Sequence, residues 1–249
     1  MAVGNQLVLM KKGRARKEED DCPICSLPLP LKAKYSSLRP CCTKMVCDGC
    51  FLAAKKRGMR DCPFCRAPTP ETGSQVLAMM QKRVLAGDPL AIFHLGSQYE
   101  FGTLGSAKNV VRAVELYERA AELGVKEAHF FLGNLHLEGV DVEKDTDKAI
   151  RHYEAAAMFG HVYARNTLGC HEGNAKNDDL ALQHWMISAR LGHEGSLQNI
   201  KTLFMEGFAT KAEYAEALRG YQNAIEETSS PERDEAKLCP DARGGRKAD

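Results

Sequence analysis

The chain has 249 residues and a net charge of +1, from 34 basic and 33 acidic side chains. That length is enough for one large domain or two small ones, and the balanced charge argues against binding to nucleic acid through overall charge. No apolar stretch approaches the roughly 18 residues that a membrane-spanning helix needs. The order of apolar and basic residues at the amino terminus is the reverse of that in a secretory signal peptide. We therefore expect a protein of the cytosol or nucleus without a membrane partner.

The two halves of the chain differ chemically. Eight of the 10 cysteines fall between Cys22 and Cys65, and all eight histidines lie after residue 93. Residues 1–72 carry a formal charge of +7 and the remainder carries −6. In a reducing compartment, cysteines at this density indicate a metal site or catalysis before disulfides.

These differences predict a compact cysteine module over residues 21–66 and a larger domain over 74–226. Residues 67–73 between them are rich in Pro, Thr and Gly, which is typical of a linker. The polar segments 1–20 and 227–249 are expected to be disordered.

The cysteines of the module are arranged as four close pairs, three of them with two intervening residues. The pairs are Cys22 and Cys25, Cys41 and Cys42, Cys47 and Cys50, and Cys62 and Cys65. Two residues between thiolates let one tight turn present both sulfurs to one ion, and zinc takes four such ligands in a tetrahedron. Eight sulfurs therefore predict two zinc ions. Disulfides or inert buried cysteines are the alternatives.

The size of the module favours the zinc interpretation. A segment this short rarely folds by burial alone, whereas structural zinc contributes about 10–16 kcal/mol in finger peptides. We expect the module to be unfolded without metal. Eight thiolates and two zinc ions would also lower the charge of residues 1–72 from +7 to +3, which argues against nucleic acid as a partner.

The order of pairs, with Cys-Pro-Ile-Cys first and Cys-Pro-Phe-Cys-Arg last, resembles the RING finger of ubiquitin ligases. In that family the first and third pairs share one zinc, and the second and fourth pairs share the other. The resemblance therefore implies one quartet of Cys22, Cys25, Cys47 and Cys50, and a second of Cys41, Cys42, Cys62 and Cys65.

The RING resemblance also implies a function. The family docks a ubiquitin-conjugating enzyme in an apolar groove, matched here by Ile24, Pro63 and Phe64, and uses a cation after the last ligand, matched by Arg66, to bridge ubiquitin and that enzyme. Catalysis is then by orientation, with no covalent intermediate and no catalytic side chain. Each of these residues can instead have only a structural role: packing, stiffening a turn or neutralising thiolates.

Two positions depart from the RING pattern. Lys44 occupies the place where the family usually has a histidine ligand, so Cys41 must supply the eighth sulfur. The helix after the third pair, Phe51 to Arg57, lacks the Trp that the family often uses for docking. These departures favour the alternative hypothesis of a non-catalytic protein-interaction scaffold.

From residue 88 the chain repeats itself. Leu-Gly pairs begin at Leu95, Leu132 and Leu168, and aromatic residues recur at Tyr117, Tyr153, Trp185 and Tyr221. A period of this length is typical of stacked helical hairpins, and glycines at 124, 160 and 192 stand where a helix should end. We predict units over about 88–127, 128–163, 164–196 and 197–226, preceded by a capping helix over 74–86.

The motif Ala-x-x-x-Tyr-x-x-Ala-Ala-x-x-Gly, best matched over 113–124 and 149–160, resembles Sel-one-like repeats, which are relatives of tetratricopeptide repeats. The resemblance implies a superhelix that binds a protein substrate. His161 and His193 follow the repeat glycine, and His152 and His184 precede the repeat aromatic, so we predict that these histidines are structural or solvated. The predicted fold is thus a small zinc-stabilised RING-like module followed by an all-α helical-hairpin repeat solenoid.

Overall fold

A computed structural model describes residues 9–10 and 20–239 of the chain. The described residues divide into two compact units. The cysteine unit comprises residues 20–109 and 227–239, and the repeat unit comprises residues 9–10 and 110–226. No helix within these described residues is long and apolar enough to cross a membrane.

The cysteine unit is built on a two-stranded antiparallel hairpin. Strands β1 (Ser36–Arg39) and β2 (Lys44–Cys47) pair with Ser36 opposite Cys47 and Arg39 opposite Lys44. A short 3₁₀ turn, Ala33–Tyr35, precedes β1. The helices of this unit are α1 (Asp48–Lys56), α2 (Gly73–Leu85), α3 (Pro89–Phe101) and α11 (Pro231–Leu238).

Helix α2 corresponds to the predicted capping helix and packs against α3. Asp88 accepts hydrogen bonds from the backbone N–H groups of Leu90 and Ala91 at the start of α3. The same carboxylate pairs with Arg83 and accepts the Thr43 hydroxyl at 2.7 Å. These bonds tie α2 and α3 to the hairpin turn, so the unit extends past the linker predicted over 67–73.

The repeat unit consists of seven helices within residues 110–226 and the adjoining Glu227. They are α4 (Val110–Glu122), α5 (Lys126–Glu138), α6 (Thr146–Met158), α7 (Val162–Asn174), α8 (Asp178–Arg190), α9 (Glu194–Met205) and α10 (Lys211–Glu227). Helix α5 packs on α6, α7 on α8, and each hairpin packs on the next. The helical-hairpin repeat architecture predicted from the periodicity is confirmed.

The repeated Leu-Gly pairs have a specific packing role. A Cβ at Gly133 would lie 2.5 Å from Cε1 of Tyr153, and a Cβ at Gly169 would lie 2.6 Å from Nε1 of Trp185. Each glycine therefore makes room for the aromatic ring of the following helix. This contact explains why the Leu-Gly pairs and the aromatic residues recur together.

The predicted helix ends are also confirmed. Gly124, Gly160 and Gly192 each follow a helix by two residues and have φ values of 87°, 83° and 94°. An L-residue with a side chain is strained in that left-handed region, whereas glycine is not. The three glycines therefore turn the chain between successive helices.

The structure corrects the prediction of a disordered tail over 227–249. Residues 231–238 form helix α11, in which Ser230 accepts a hydrogen bond from the Arg233 N–H and Pro231 takes the first helical position. Ser followed by Pro and an acidic first turn is a helix-start signal, and α11 is held by packing on α1. Residues 240–249 lie outside the described part of the chain.

The predicted disordered segment 1–20 lies outside the described residues except for Leu9, Met10 and Asp20. Leu9 is 2% exposed and belongs to one buried cluster with Tyr153, Leu168 and alanines of α6 and α7. The fully buried Arg165 donates from its guanidinium to the Leu9 carbonyl at 2.6 Å. Leu9 is therefore part of the core of the repeat unit.

Replacing Leu9 with Ala is expected to lower the free energy of unfolding of the repeat unit by about 2 kcal/mol, the low end for Leu→Ala in a core. Thermal denaturation of the full chain measures the change, with half-buried Met10→Ala as the control for a smaller loss. Equal melting temperatures for Leu9→Ala and wild type would contradict the assignment of Leu9 to the core.

Candidate functional site

Two turns of the cysteine unit have the same backbone structure. In the first knuckle, residues 22–27, Cys22 N–H donates to the Leu27 carbonyl and Ser26 N–H to the Cys22 carbonyl, at 2.9 and 2.8 Å. In the second knuckle, residues 62–67, the equivalent bonds are 2.8 and 2.9 Å. Ser26 and Arg66 both have positive φ, 54° and 64°. The Cys-Pro-x-Cys motif thus folds each time into one turn that points two sulfurs the same way.

The β-hairpin and the start of helix α1 supply the other four sulfurs. Cys41 and Cys42 lie in the turn between β1 and β2, and Thr43, which follows them, has a left-handed backbone conformation (φ 55°). Cys47 ends β2, and its sulfur accepts the N–H of Cys50 in the first turn of α1 at 3.5 Å. The strand, the turn and the start of the helix therefore fix these four sulfurs relative to one another.

The eight sulfurs gather into two quartets, and within each quartet all sulfurs lie within 4.8 Å of one another. The first quartet is Cys22, Cys25, Cys47 and Cys50, and the second is Cys41, Cys42, Cys62 and Cys65. These are the groupings that the RING resemblance implies. Each quartet can hold a metal ion.

The sulfur spacing fits zinc. Four sulfurs about 2.3 Å from a central zinc ion form a tetrahedron with edges of about 3.8 Å. The Cys25–Cys47 and Cys42–Cys62 sulfur separations are both 3.9 Å, and the Cys41–Cys65 separation is 3.4 Å. The Cys22 sulfur also accepts the backbone N–H of Cys47 at 3.5 Å, a bond that favours a thiolate.

The thiols of the second quartet differ in acidity. Burial raises the pKa of Cys42 to about 11. Burial also opposes ionisation of Cys62, but hydrogen bonds from the backbone N–H groups of Cys65 and Phe64, together with those from the Cys41 and Cys65 thiols, outweigh it and lower the pKa of that thiol to about 7. Like charges close together resist joint ionisation, and a divalent cation removes that penalty.

The predicted docking residues lie on the knuckles. Ile24 and Phe64 occupy the same position in the two turns and are 41% and 42% exposed. Pro63 is half-buried, and Arg66 is exposed with its guanidinium against the Met59 sulfur at 2.8 Å. Lys44, at the position where RING fingers usually have histidine, is exposed on β2, and Cys41 rather than Lys44 joins the second quartet.

Sequence reasoning missed Arg233, which is 3% exposed beside the first quartet. Its guanidinium donates to the Cys25 sulfur at 3.3 Å and to the carbonyls of Leu27 and Pro28 at 3.1 and 2.6 Å. The only local signal for it was the helix start at Ser230 and Pro231. Nothing in the spacing of the cysteines indicates a contact with a residue more than 200 positions away.

In the repeat unit, aromatic and histidine rings form a continuous line across three successive hairpins. We call it the aromatic row: Phe130, His161, Tyr163 and His193. Phe130 stacks on His161 with ring centroids 4.4 Å apart, and Tyr163 contacts His193 edge-on at 5.1 Å. Tyr163 is 37% exposed, so the row presents a large ring at the surface.

The histidines of the row have the structural role that their periodic placement predicts. His161 and His193 each precede a helix and accept, through Nδ1, a backbone N–H three residues later, at 3.1 and 3.0 Å. They therefore cap α7 and α9. The caps hold the rings of the aromatic row in fixed positions.

Two other histidines are expected to make the stability of the repeat unit depend on pH. Burial, and to a smaller extent the charge of Arg165, lowers the pKa of His184 to about 3. Burial, with His129 and His136 adding to it, lowers the pKa of His152 to about 4. Because an unfolded histidine titrates at about 6.5, the unfolded chain binds more protons as the pH falls below that value.

We therefore expect the free energy of unfolding to fall from pH 6.5 towards pH 4, by up to about 1.4 kcal/mol per pH unit for each such histidine. Urea denaturation at a series of pH values measures the slope. His184→Leu should reduce the slope of unfolding free energy against pH by up to about 1.4 kcal/mol per pH unit, which corresponds to one proton, because leucine does not titrate. An unchanged slope in this variant would contradict the neutral, buried state of His184.

Comparisons with known proteins identify the repeats. The family model for the Sel1 repeat matches residues 89–125 and 126–161. A Sel1 repeat protein from Oxalobacter formigenes has a TM-score of 0.56 and 23% identity, covering 71% of each chain. The protective antigen c5321 of uropathogenic Escherichia coli, which has an SLR fold, has a TM-score of 0.55 and 23% identity, covering 77% of this chain and 41% of that one.

Two curated proteins are also similar. Chitin synthase regulatory factor 4 of Schizosaccharomyces pombe is 27% identical over 139 residues, 55% of this chain. DAP3-binding cell death enhancer 1 of Rattus norvegicus is 32% identical over 116 residues, 45% of this chain. Each match spans 22% of the relative's own length. Together with the hairpin geometry, these findings establish that the chain contains Sel1 repeats folded as a helical-hairpin solenoid.

Proposed function

We propose that the protein is an interaction scaffold of the cytosol or nucleus in which the Sel1 repeats bind a protein partner and the cysteine module, held by two zinc ions, provides a second docking surface. The observation that carries this proposal is the aromatic row on a repeat solenoid. Tyr163 is the exposed ring of the row, and Tyr is among the side chains that contribute most of the binding energy in protein interfaces. A repeat array also offers an extended surface for such contacts.

The role of zinc in this proposal is structural. The first quartet would hold one ion and the second quartet the other, each with four thiolates and no open position. A closed site of this kind stabilises a fold and offers no coordination position to a substrate. Zinc would supply the folding free energy that a module of this size lacks.

A substitution of Tyr163 tests whether the aromatic row is the binding surface. Replacing an anchoring ring in an interface with Ala costs at least about 2 kcal/mol, or roughly 30-fold in affinity. We expect Tyr163→Ala to lower by that factor the affinity for a binding partner. The partner is first identified by cross-linking to the wild-type protein. Phe208→Ala is the matched control, because Phe208 is 57% exposed and lies outside the aromatic row. Equal losses in both variants, or no loss in either, would argue against the row as the docking surface.

A second candidate function, the RING-type ubiquitin ligase, is favoured by the exposure of Ile24 and Phe64 at equivalent points of the two knuckles. In this candidate Ile24, Pro63 and Phe64 dock a ubiquitin-conjugating enzyme, and Arg66 bridges that enzyme and ubiquitin. The module would act by holding the thioester in a reactive orientation. The repeats would then select the protein substrate.

Discharge of ubiquitin from a panel of charged conjugating enzymes onto free lysine distinguishes the two functions. The ligase candidate predicts acceleration that Ile24→Ala and Arg66→Ala each abolish. The scaffold proposal predicts no acceleration above background by the zinc-loaded wild-type protein. Acceleration that survives both substitutions would contradict the docking roles given to these residues.

A further inference from the structure

Helix α11 packs against the cysteine module although almost the whole repeat unit separates the two in sequence. We propose that α11 is an integral part of this module and that Arg233 is a positioning residue for the metal of the first quartet. The proposal rests on the zinc-binding role proposed above. It adds a residue from the carboxyl-terminal end of the chain to a metal centre that is otherwise formed by residues 22–50.

The packing of α11 on α1 requires a glycine. A Cβ at Gly49 would lie 2.8 Å from the backbone nitrogen of Arg233, closer than such atoms approach in proteins. Leu52 of α1 is 7% exposed and forms an apolar cluster with Ala236 and Cys239. Lys56 forms an ion pair with Glu235 at the end of the interface. Helix α11 therefore contacts α1 along its whole length, at Gly49, Leu52 and Lys56.

This packing places the guanidinium of Arg233 against the first knuckle. One nitrogen donates to the carbonyls of Pro28 and Thr228, and the other donates to the Cys25 sulfur and the Leu27 carbonyl. The Leu27 carbonyl is the same group that accepts the Cys22 N–H to close the knuckle. Arg233 is thus hydrogen-bonded both to the backbone of the knuckle and to one of its sulfurs.

The chemistry of the contact suits a zinc–thiolate centre. Four thiolates and one zinc ion carry a net charge of −2, and a buried cation donating to one sulfur offsets part of it. A hydrogen-bonded thiolate is also held in place for the metal, as outer-shell partners hold other ligands. None of the four acceptors of Arg233 belongs to the second quartet, so that quartet serves as an internal reference.

Metal loss from the full chain tests the proposal. Zinc-loaded protein is mixed with excess EDTA, native mass spectrometry follows the conversion of two-zinc chains to one-zinc and zinc-free chains, and iodoacetamide labelling identifies the released cysteines. For Arg233→Ala we expect one ion to leave at least tenfold faster than in wild type, with labelling of Cys22 and Cys25 first. The second ion should leave at the wild-type rate.

Two further variants separate the role of Arg233 from a general loss of folding. Arg233→Lys keeps the charge and the helix but not the forked geometry, and should give an intermediate rate. Lys237→Ala, on the same helix, should behave as wild type. Wild-type release of both ions by Arg233→Ala would overturn the inference and leave the zinc proposal standing. A wild-type protein that binds no zinc would overturn both.

Discussion

Replacing Cys22 with Ser is expected to unfold the cysteine module while the repeat unit stays folded. Cys22 is fully buried in the first quartet, and its loss leaves three sulfurs for an ion that requires four ligands. Because structural zinc supplies about 10–16 kcal/mol in small finger domains, the packing of α1 on α11 and the bond from Thr43 to Asp88 are not expected to compensate. The expected change is larger than that of any single core substitution.

Hydrogen exchange followed by mass spectrometry measures this result region by region. Peptides from residues 20–66 should exchange at rates close to those of an unfolded chain, and peptides from 110–226 should keep their protection. Cys170→Ser is the matched control, because Cys170 lies in α7 and belongs to neither quartet. Protection of residues 20–66 in the Cys22→Ser protein would contradict a metal-dependent fold.

Replacing Gly169 with Ala is expected to lower the free energy of unfolding of the repeat unit by about 2–3 kcal/mol. The added Cβ would lie 2.6 Å from Nε1 of Trp185, so the indole or the helix must move. In an isolated helix the same substitution would be favourable, because Ala has the higher helix propensity. The sign of the effect therefore separates close packing from local propensity.

Urea denaturation of the full chain measures the Gly169→Ala effect, with Gly173→Ala as the graded control. A Cβ at Gly173 would lie 3.2 Å from Cη2 of the same indole, so a smaller change is expected. Combining Gly169→Ala with Trp185→Phe should recover part of the loss, because the smaller ring leaves room for the methyl group. A stabilised Gly169→Ala protein would contradict the glycine–aromatic contact.

The parts of the structure that sequence reasoning predicted depend on short-range or periodic patterns. Cys22 and Cys25 have only two residues between them, so the motif itself determines the geometry of their sulfurs. The repeats are periodic, so the contact of Gly169 with Trp185 has a counterpart in that of Gly133 with Tyr153. The same periodicity indicated that the repeat histidines serve the fold, and two of them, His161 and His193, cap helices.

The parts that were missed depend on contacts between distant residues. Arg233 reaches the Cys25 sulfur across 208 residues, and Arg165 reaches the Leu9 carbonyl across 156. Both segments are polar or terminal, and such composition is typical of disorder when no partner is known. Leu9 and helix α11 are each held in place because a few buried side chains contact a complementary surface elsewhere in the same unit. No sequence pattern within either segment predicts its contact with that distant surface.

X-ray absorption at the zinc edge, made on the full chain with its zinc content measured in the same sample, tests the two-quartet account most directly. We expect two zinc ions per chain, each surrounded by four sulfur atoms at about 2.3 Å and by no nitrogen or oxygen. A first shell that contains nitrogen or oxygen, or a zinc content well below two per chain, would contradict it.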